Sequence, residues 1–335
     1  KEGGETVRLT ADKVFINTGQ RPRVPELPGL DGVEALNSTT MMEVGEVPEH
    51  LLVLGGGYVG VEFAQMFRRF GSAVTIVQRS GQVLTHEDPD IAQEVMDILR
   101  DDDMELLLDT DAVRVDEDDE GTVSLRVSAP DGERVVRGSH LLLAVGRTPN
   151  TEALNLEAAG VETTRHGYVK ANERLETNVP GIYALGDVRG GLAFTHVSYD
   201  DFRVVRTNLL EGGDATIDRR LLTYTVFIDP QLGRAGLTET MARDQGYDVR
   251  VAKMPMSHVA RALEVDQARG VMKAVVDAET DLILGASILG LEGGEVASVL
   301  LVAMMGELPY TALRDGVLPH PTLAEALNNL FMTLD

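Results

Sequence analysis

Apolar and polar positions alternate along the chain in three distinguishable ways. Short continuous apolar runs bounded by glycine or charge, at residues 14–16, 51–54, 73–77, 105–108 and 141–145, predict strands buried on both faces, as in a parallel sheet. Between them, Val61, Phe63, Ala64 and Phe67, then Ile91, Val95, Ile98 and Leu99, recur at helical spacing. The second of these helices, 90–100, is entered through Asp88-Pro89. Residues 112–115 and 123–127 predict a hairpin whose solvated tip is the acidic run 116–120. A short strand over 181–187 ends in Gly186-Asp187, and a helix is expected over 198–210. Beyond residue 221 the pattern changes. Strands at 224–228, 249–255, 271–276 and 282–289, interleaved with helices at 238–246, 293–305 and 322–331, predict a separate α+β domain with a mixed antiparallel sheet.

Residues 1–45 hold too few apolar positions for a core of their own. They run from the strand at 14–16 through Asn17-Thr18-Gly19-Gln20-Arg21-Pro22 into an extended stretch marked by Pro25, Pro28 and Gly29. They read as the end of a domain whose beginning lies outside this sequence.

Composition narrows the picture. A chain of 335 residues, 43% hydrophobic, can bury two or three cores, and no apolar run reaches the roughly 20 residues that cross a bilayer. Without a signal-peptide core at KEGGETVRLT, a cytoplasmic protein is expected. The net charge of −24 repels nucleic acid and anionic membrane, so neither is expected as a partner. Only five basic residues are lysine, a bias that fits either a salt-rich cytoplasm or a high-GC genome. The absence of cysteine excludes a disulfide, a thiol nucleophile and a thiolate metal site within the sequence.

The strongest chemical signal is LLVLGGGYVGVE, residues 51–62. A strand runs into Gly55, Gly57 and Gly60 and then into a helix. The first glycine allows the turn, the second admits a pyrophosphate to the backbone, and the third packs helix on strand. A second strand at 73–77 arrives about 20 residues after the first glycine, where a dinucleotide fold reads the ribose. Two further signals stay open on the residues alone. Asp187 at its strand end either accepts from a ribityl or ribose hydroxyl or caps the next turn. His320, between Pro319 and Pro321 with Glu325 on the following helix, is either a carboxylate-held general base or a structural histidine beside a helix start.

These motifs recur together in a known order. Asn17-Thr18-Gly19 with the proline-rich stretch, GGGYVGVE at 55–62, AVGRTPN at 144–150, GIYALGD at 181–187, TVFIDP at 225–230 and HPTLAE at 320–325 resemble the pyridine nucleotide-disulfide oxidoreductases of the dihydrolipoamide dehydrogenase, glutathione reductase and mercuric reductase group. The stretches 190–210, 254–277 and 308–331 are most similar to the mercuric-reductase-like and reactive-chlorine-resistance branch. The end at Phe331-Met332-Thr333-Leu334-Asp335 lacks that group's metal-collecting cysteine pair, so mercury is not the expected acceptor.

The resemblance implies an α/β chain with two nested Rossmann-like domains, one for FAD and incomplete, one for NAD(P), plus a C-terminal α+β dimerisation domain. Residues 1–45 and 151–218 would be FAD-domain parts, 46–150 the NAD(P)H domain and 219–335 the interface of a homodimer. The family's main FAD phosphate loop and its CxxxxC redox pair would precede Lys1. By the same resemblance Gly55, Gly56, Gly57, Val59, Gly60, Val113, Gly146 and Arg147 belong to the nicotinamide site. Tyr58 is the gate over the flavin, moving aside for nicotinamide, and Glu62 pairs with a flavin-side lysine outside this sequence. Thr18, Gly19, Asp187, Ala193, Phe194, Thr195 and His196 contact FAD, and His320 with Glu325 serves the other subunit's dithiol as a base dyad.

The implied reaction is hydride transfer from NAD(P)H to FAD, then two-electron delivery to a cysteine pair and on to a disulfide or metal-ion acceptor. Gln78-Arg79, with no carboxylate where an acidic residue would select NADH, points to NADPH; Gln78 bonding a ribose hydroxyl would allow NADH. Two other readings are a dinucleotide-binding dimeric fragment without turnover, and a flavin NAD(P)H oxidase or metal-ion reductase, for instance of copper.

Overall fold

The computed structural model describes residues 8–334, which form two compact units, residues 8–21 with 147–220 and residues 22–146 with 221–334. The chain opens with β1 (Val14–Ile16) and β2 (Gln20–Pro22). The nucleotide-type part of the second unit follows as β3 (His50–Leu54), α1 (Tyr58–Phe70), β4 (Ala73–Val77), α2 (Pro89–Asp101) and β5 (Glu105–Leu107). An antiparallel meander, β6 (Asp111–Glu117), β7 (Val123–Ala129) and β8 (Gly132–Gly138), leads to β9 (His140–Leu143).

Strands β5, β4, β3 and β9 lie side by side in that order, all parallel. Leu51, Leu52 and Val53 of the central β3 are fully buried, which is why its sequence is continuously apolar rather than alternating. Helix α1 turns Val61, Ala64 and Phe67 inward and ends where Gly71, at φ 111°, closes the last turn through its N–H on Phe67 and Arg68.

The first unit resumes with β10 (Arg147–Pro149), β11 (Ile182–Ala184) and α3 (Thr195–Leu210). Strand β11 pairs in parallel with β1, Val14 opposite Ile182, over a small core of Ile16, Val161, Val169, Ala184 and Val188. The C-terminal part of the second unit contains β12 (Thr223–Val226), β13 (Gln231–Gly236), α4 (Glu239–Asp244), β14 (Val249–Pro255), α5 (Ala260–Glu264), β15 (Val271–Asp277), β16 (Ile283–Gly290), α6 (Gly293–Met305), α7 (Tyr310–Arg314) and α8 (Ala326–Met332). Its antiparallel sheet runs β12-β13-β16-β15-β14, and its core includes Met272, Ile288, Leu300, Leu327 and Phe331.

The parallel and α+β halves match the expectation; several elements differ from it. Strands β8 and β13 were not expected, because GERVVRG and QLGRAG carry glycine and arginine where strands normally carry apolar side chains. In β13 the glycine is required: a Cβ on Gly233 would stand 2.2 Å from the Gly293 carbonyl, so α6 can lie against the sheet only there. The expected strand at 224–228 stops at Val226, and Phe227 turns out, 71% exposed. Helix α8 begins at Ala326 rather than 322; Thr322 Oγ1 accepts from the Glu325 N–H in the turn before it. Residues 22–45, expected with the FAD domain, pack in the nucleotide-type unit: Leu36 exchanges backbone bonds of 2.8 Å with Leu141 and Leu143, and Leu30 joins Leu52, Leu125 and Leu141 in one cluster.

A buried ionic seam ties the start of α2 to the C-terminal sheet. Lys273, 4% exposed, reaches Asp88 at 3.1 Å, Asp90 at 2.9 Å and Glu239 at 2.9 Å. Asp88 occupies the N-cap position of α2 but directs its carboxylate elsewhere, accepting from Glu239 N (2.9 Å), Thr240 N (3.0 Å) and Thr240 Oγ1 (2.8 Å). Burial by itself would raise the Asp88 carboxyl. The Thr240 and Glu239 donors and the Lys273 charge outweigh it and hold Asp88 at about 2. A carboxyl held low stabilises the fold above its unfolded value and loses that contribution as pH falls through its folded value. Wild-type stability should therefore drop by about 2 kcal/mol between pH 4 and 2 through this group. In Asp88→Asn, urea unfolding across the same window should show that slope reduced and a lower plateau at pH 7.

Candidate functional site: a glycine cradle and a histidine-carboxylate pair

The turn from β3 into α1 is dictated by close backbone approach. A Cβ on Gly55, at φ 109°, would lie 2.4 Å from the Ala144 carbonyl oxygen, and one on Gly60 would lie 2.0 Å from the Gly55 oxygen. Neither contact tolerates a side chain. Gly57 is the opposite case: its backbone is extended, and a Cβ there would meet no described atom within 4 Å. The space a ligand needs is thus left open at the helix N-terminus, where unpaired N–H groups and the positive end of the macrodipole favour an anion. That is the shape a dinucleotide pyrophosphate requires, and the residues present fit it.

A cleft of about 700 Å³ extends from this turn, lined among others by Gly55, Gly57, Arg79, Thr85, Asp111 and Gly146. Gln78 also lines it, but its amide is committed within the protein. Oε1 accepts from the Gly56 N–H at 3.0 Å, while Nε2 donates to Ser80 Oγ at 2.5 Å and the Gln82 carbonyl at 3.2 Å. Gln78 therefore clamps the glycine turn, and the exposed Arg79 beside it lines the cleft, as does Arg23. Val113, expected at this site, is an exposed residue of β6; Ala112 lines the cleft in its stead.

Further along α1, Tyr58 packs against Tyr224, ring centroids 5.1 Å apart, and faces His86 at 6.4 Å. Val59 is half-buried on the same turn. Glu62 Oε1 accepts from the Phe227 N–H at 2.7 Å, and burial raises its carboxyl.

In the other unit, Thr18 Oγ1 donates to the Asn150 carbonyl at 2.7 Å and Asn150 Nδ2 returns a bond to the Thr18 carbonyl, fixing the Gly19 turn at φ 69°. Arg147 Nη2 donates to the Gln20 carbonyl at 3.0 Å. Asp187 sits on a one-turn helix after β11, its carbonyl accepting from Gln20 Nε2. Ala193 and Phe194 precede α3, while Thr195 and His196 are its first turn, and the Phe194 and His196 rings stack at 5.4 Å. The fully buried Asp201 anchors this turn: it accepts from Gly186 N (2.7 Å), Arg189 Nε (3.0 Å) and Arg220 Nη2 (2.6 Å). Nothing in the local sequence marked Asp201, because its partners come from two separate segments, 186–189 and Arg220.

His320 and Glu325 are brought together as expected. His320 Nδ1 lies 2.8 and 3.0 Å from the two carboxylate oxygens, and its side chain is 65% exposed. With Nδ1–H donating to the carboxylate, Nε2 is left as the nitrogen that takes or gives a proton outward.

Known proteins resemble this chain over nearly its whole length. The family model described as pyridine nucleotide-disulphide oxidoreductase matches residues 1–201, and the dimerisation domain of the same family matches residues 222–331. The chain belongs to the pyridine nucleotide-disulphide oxidoreductases, a family of FAD-dependent oxidoreductases that also use a pyridine nucleotide. It is 40% identical over 327 residues to the probable pyridine nucleotide-disulfide oxidoreductase RclA of Escherichia coli K12, covering 97% of this chain and 73% of that protein. It is 36% identical over 327 residues to mercuric reductase of Staphylococcus aureus, covering 98% of this chain and 60% of the relative's length. Among solved structures, the Cu(II) complex of the HOCl-induced flavoprotein disulfide reductase RclA from E. coli superposes with a TM-score of 0.90 at 39% identity, over 96% of this chain and 74% of that one. No helix among the described residues is long and apolar enough to cross a membrane.

The contrast between the glycines is testable. Gly60→Ala should lower unfolding free energy by about 3 kcal/mol, since the new methyl meets backbone. Gly57→Val should unfold like wild type yet bind NADH and NADPH at least about tenfold more weakly, by isothermal titration, because the side chain occupies the phosphate space.

Proposed function

We propose that this chain binds NADPH in the Gly55–Gly60 cleft and serves as the nicotinamide-binding and dimer-forming portion of a cytoplasmic homodimeric flavoenzyme that reduces a disulfide or a metal ion. When bound, NADPH supplies the hydride and FAD accepts it. The observation that carries the reading is the open space at Gly57, framed by glycines that admit no side chain and ending at Arg79. The glycine turn and helix N-terminus hold the pyrophosphate.

Arg79 meets the adenosine 2′-phosphate. It follows directly on Gln78, whose side chain is already spent on Gly56, Ser80 and Gln82, so the end of β4 presents a cation where an acidic residue would select NADH. Residues 46–150 form the nucleotide-binding domain, with 22–45 packed beside it, and 219–335 the interface domain, while 1–21 and 151–218 contribute to the FAD domain. There Thr18, Gly19, Asp187 and the 193–196 segment would contact FAD, with the Asp187 carboxylate accepting from ribityl hydroxyls.

At the interface end, Glu325 orients the His320 imidazole so that Nε2 takes a proton from a thiol and returns it to the leaving sulfur. The reductase names carried by the RclA and mercuric reductase relatives support a disulfide or metal-ion acceptor for this chain as well.

Two experiments test the reading. Titration should show NADPH binding more tightly than NADH, and Arg79→Ala should weaken NADPH about tenfold while leaving NADH unchanged; equal affinities would remove the 2′-phosphate contact. In flavin-loaded protein that also carries the family's cysteine pair, His320→Gln should cut NADPH-dependent disulfide reduction by about 100-fold or more while sparing electron transfer from flavin to oxygen. Equal loss of both rates would exclude the base role.

A further inference from the structure

The pyrophosphate that NADH and NADPH share is doubly charged, and at the glycine turn it meets only backbone N–H groups. The chain has a net charge of −24, so its long-range field opposes an anion and nearby cations must offset it. Each flank of the turn carries one. Gly55 N donates to the Val77 carbonyl at the end of β4 (2.9 Å), and on the opposite side of β3 Ala144 N, just past β9, donates to the Leu54 carbonyl (2.8 Å). Arg79 follows Val77 by two residues. On the β9 side, the Gly146 carbonyl accepts from the Arg23 N–H at 3.0 Å. Arg79 and Arg23 therefore stand on opposite flanks of the turn, and both line the cleft.

The segment that carries Arg23 is extended and stiff. Arg23 and Pro25 line the cleft, whereas Val24 between them does not and is 71% exposed, the alternation of extended backbone. Pro22 and Pro25 fix φ on either side, and Val24, preceding a proline, keeps to extended conformations. The Arg23 guanidinium makes no hydrogen bond or ion pair among the described residues, whereas Arg21, two positions earlier, is held by Glu152 at 2.7 Å. The fold itself makes no use of this charge. Two carboxylates, Glu26 and Asp111, also line the cleft, and the two arginines bring its formal charge to neutrality.

We propose that Arg23 binds the nicotinamide-side phosphate of the dinucleotide from the β9 flank, so that the two arginines divide the phosphates: Arg79 takes the adenosine 2′-phosphate and Arg23 the far end of the pyrophosphate. The inference rests on the nucleotide reading above and adds to it a phosphate contact outside the glycine turn. In a parallel sheet of this kind the adenosine ribose is read at the end of the second strand, here β4, so the rest of the dinucleotide runs towards β9. Arg23 meets a group present in both nucleotides. It raises affinity for both without choosing between them.

Arg23→Gln removes the charge and leaves the backbone N–H on Gly146; because the side chain is exposed and unpartnered, the variant should melt like wild type. In isothermal titration of the full chain, NADH and NADPH should each bind about three- to tenfold more weakly to it, by the same factor. ADP-ribose keeps both phosphates of the bridge and lacks the nicotinamide ring, and it should weaken by that factor too. Adenosine 2′,5′-bisphosphate lacks the nicotinamide-side phosphate and should bind unchanged.

Unchanged affinity for both nucleotides, a loss confined to NADPH, or an equal loss for adenosine 2′,5′-bisphosphate would each overturn the assignment. So would weakened NADH with ADP-ribose unaffected, which would place Arg23 at the nicotinamide ring. A variant that unfolds or melts early would overturn it as well, since it would show the guanidinium in use by the fold. Wild-type protein that holds none of the four ligands would instead overturn the nucleotide reading, and the Arg23 contact with it. Binding by wild type combined with any of the adverse outcomes overturns the Arg23 contact alone.

Discussion

Four charged side chains with no more than about 4% of their surface exposed, Glu87, Asp88, Arg234 and Lys273, lie between the parallel sheet and the antiparallel one, and the second unit is built around pairing them. An ion taken out of water costs several kcal/mol, roughly, unless its partners replace the lost hydration. Here Asp88 receives three hydrogen bonds from the 239–240 segment, and Lys273 has three carboxylates within 3.1 Å. None of these partners is on the same element as the charge it satisfies. The arrangement is satisfied only when α2, α4, β13 and β15 are all in place, so the two sheets form one body. The satisfaction is not complete: Arg234 Nε is buried without a partner among the described residues, as is Arg250 Nε. Such a site is costly to perturb and specifies one packing in preference to others.

That constraint reaches the cleft through residues 80–88. The loop follows β4, closes on the Gly56 carbonyl through Leu84, and ends in Glu87 and Asp88, so the wall of the cleft and the ionic seam are one continuous stretch of chain. Gln78 adds a second clamp by accepting from Gly56. The glycine turn is therefore held from two sides before any ligand arrives, and a preformed turn presents its N–H groups to an anion without an ordering cost at the moment of binding. The backbone overlaps at Gly55 and Gly60 and the vacant space at Gly57 express the same economy: glycine is required twice so that chains can touch, and once so that something else can.

The His320–Glu325 pair follows a different logic. Its two members are five residues apart, held by the Thr322 turn and α8, and most of the imidazole faces solvent. A pair so exposed leaves most of the imidazole open to a group from outside the chain, in keeping with the base role proposed for it. The dimerisation domain matched over residues 222–331 contains it.

Local signals in the sequence determined a good part of this protein. The parallel strands, the glycine turn, helix α1 and the His320–Glu325 pair were all legible because their causes lie within about 20 residues: apolar runs, backbone clashes relieved by glycine, and a turn that carries its own cap. Strands β8 and β13 were not legible, since Gly233 is needed by a helix 60 residues away and the strand propensity of QLGRAG is poor. The placement of residues 22–45 beside β9, the inward commitment of Gln78, the Asp201 anchor and the Tyr224–Glu87–Arg234 chain were likewise decided only in three dimensions. A sequence shows a residue's own preferences and its near neighbours'. A buried hydrogen bond or ion pair between distant segments depends on where the folded backbone places both partners, and tertiary packing alone fixes that.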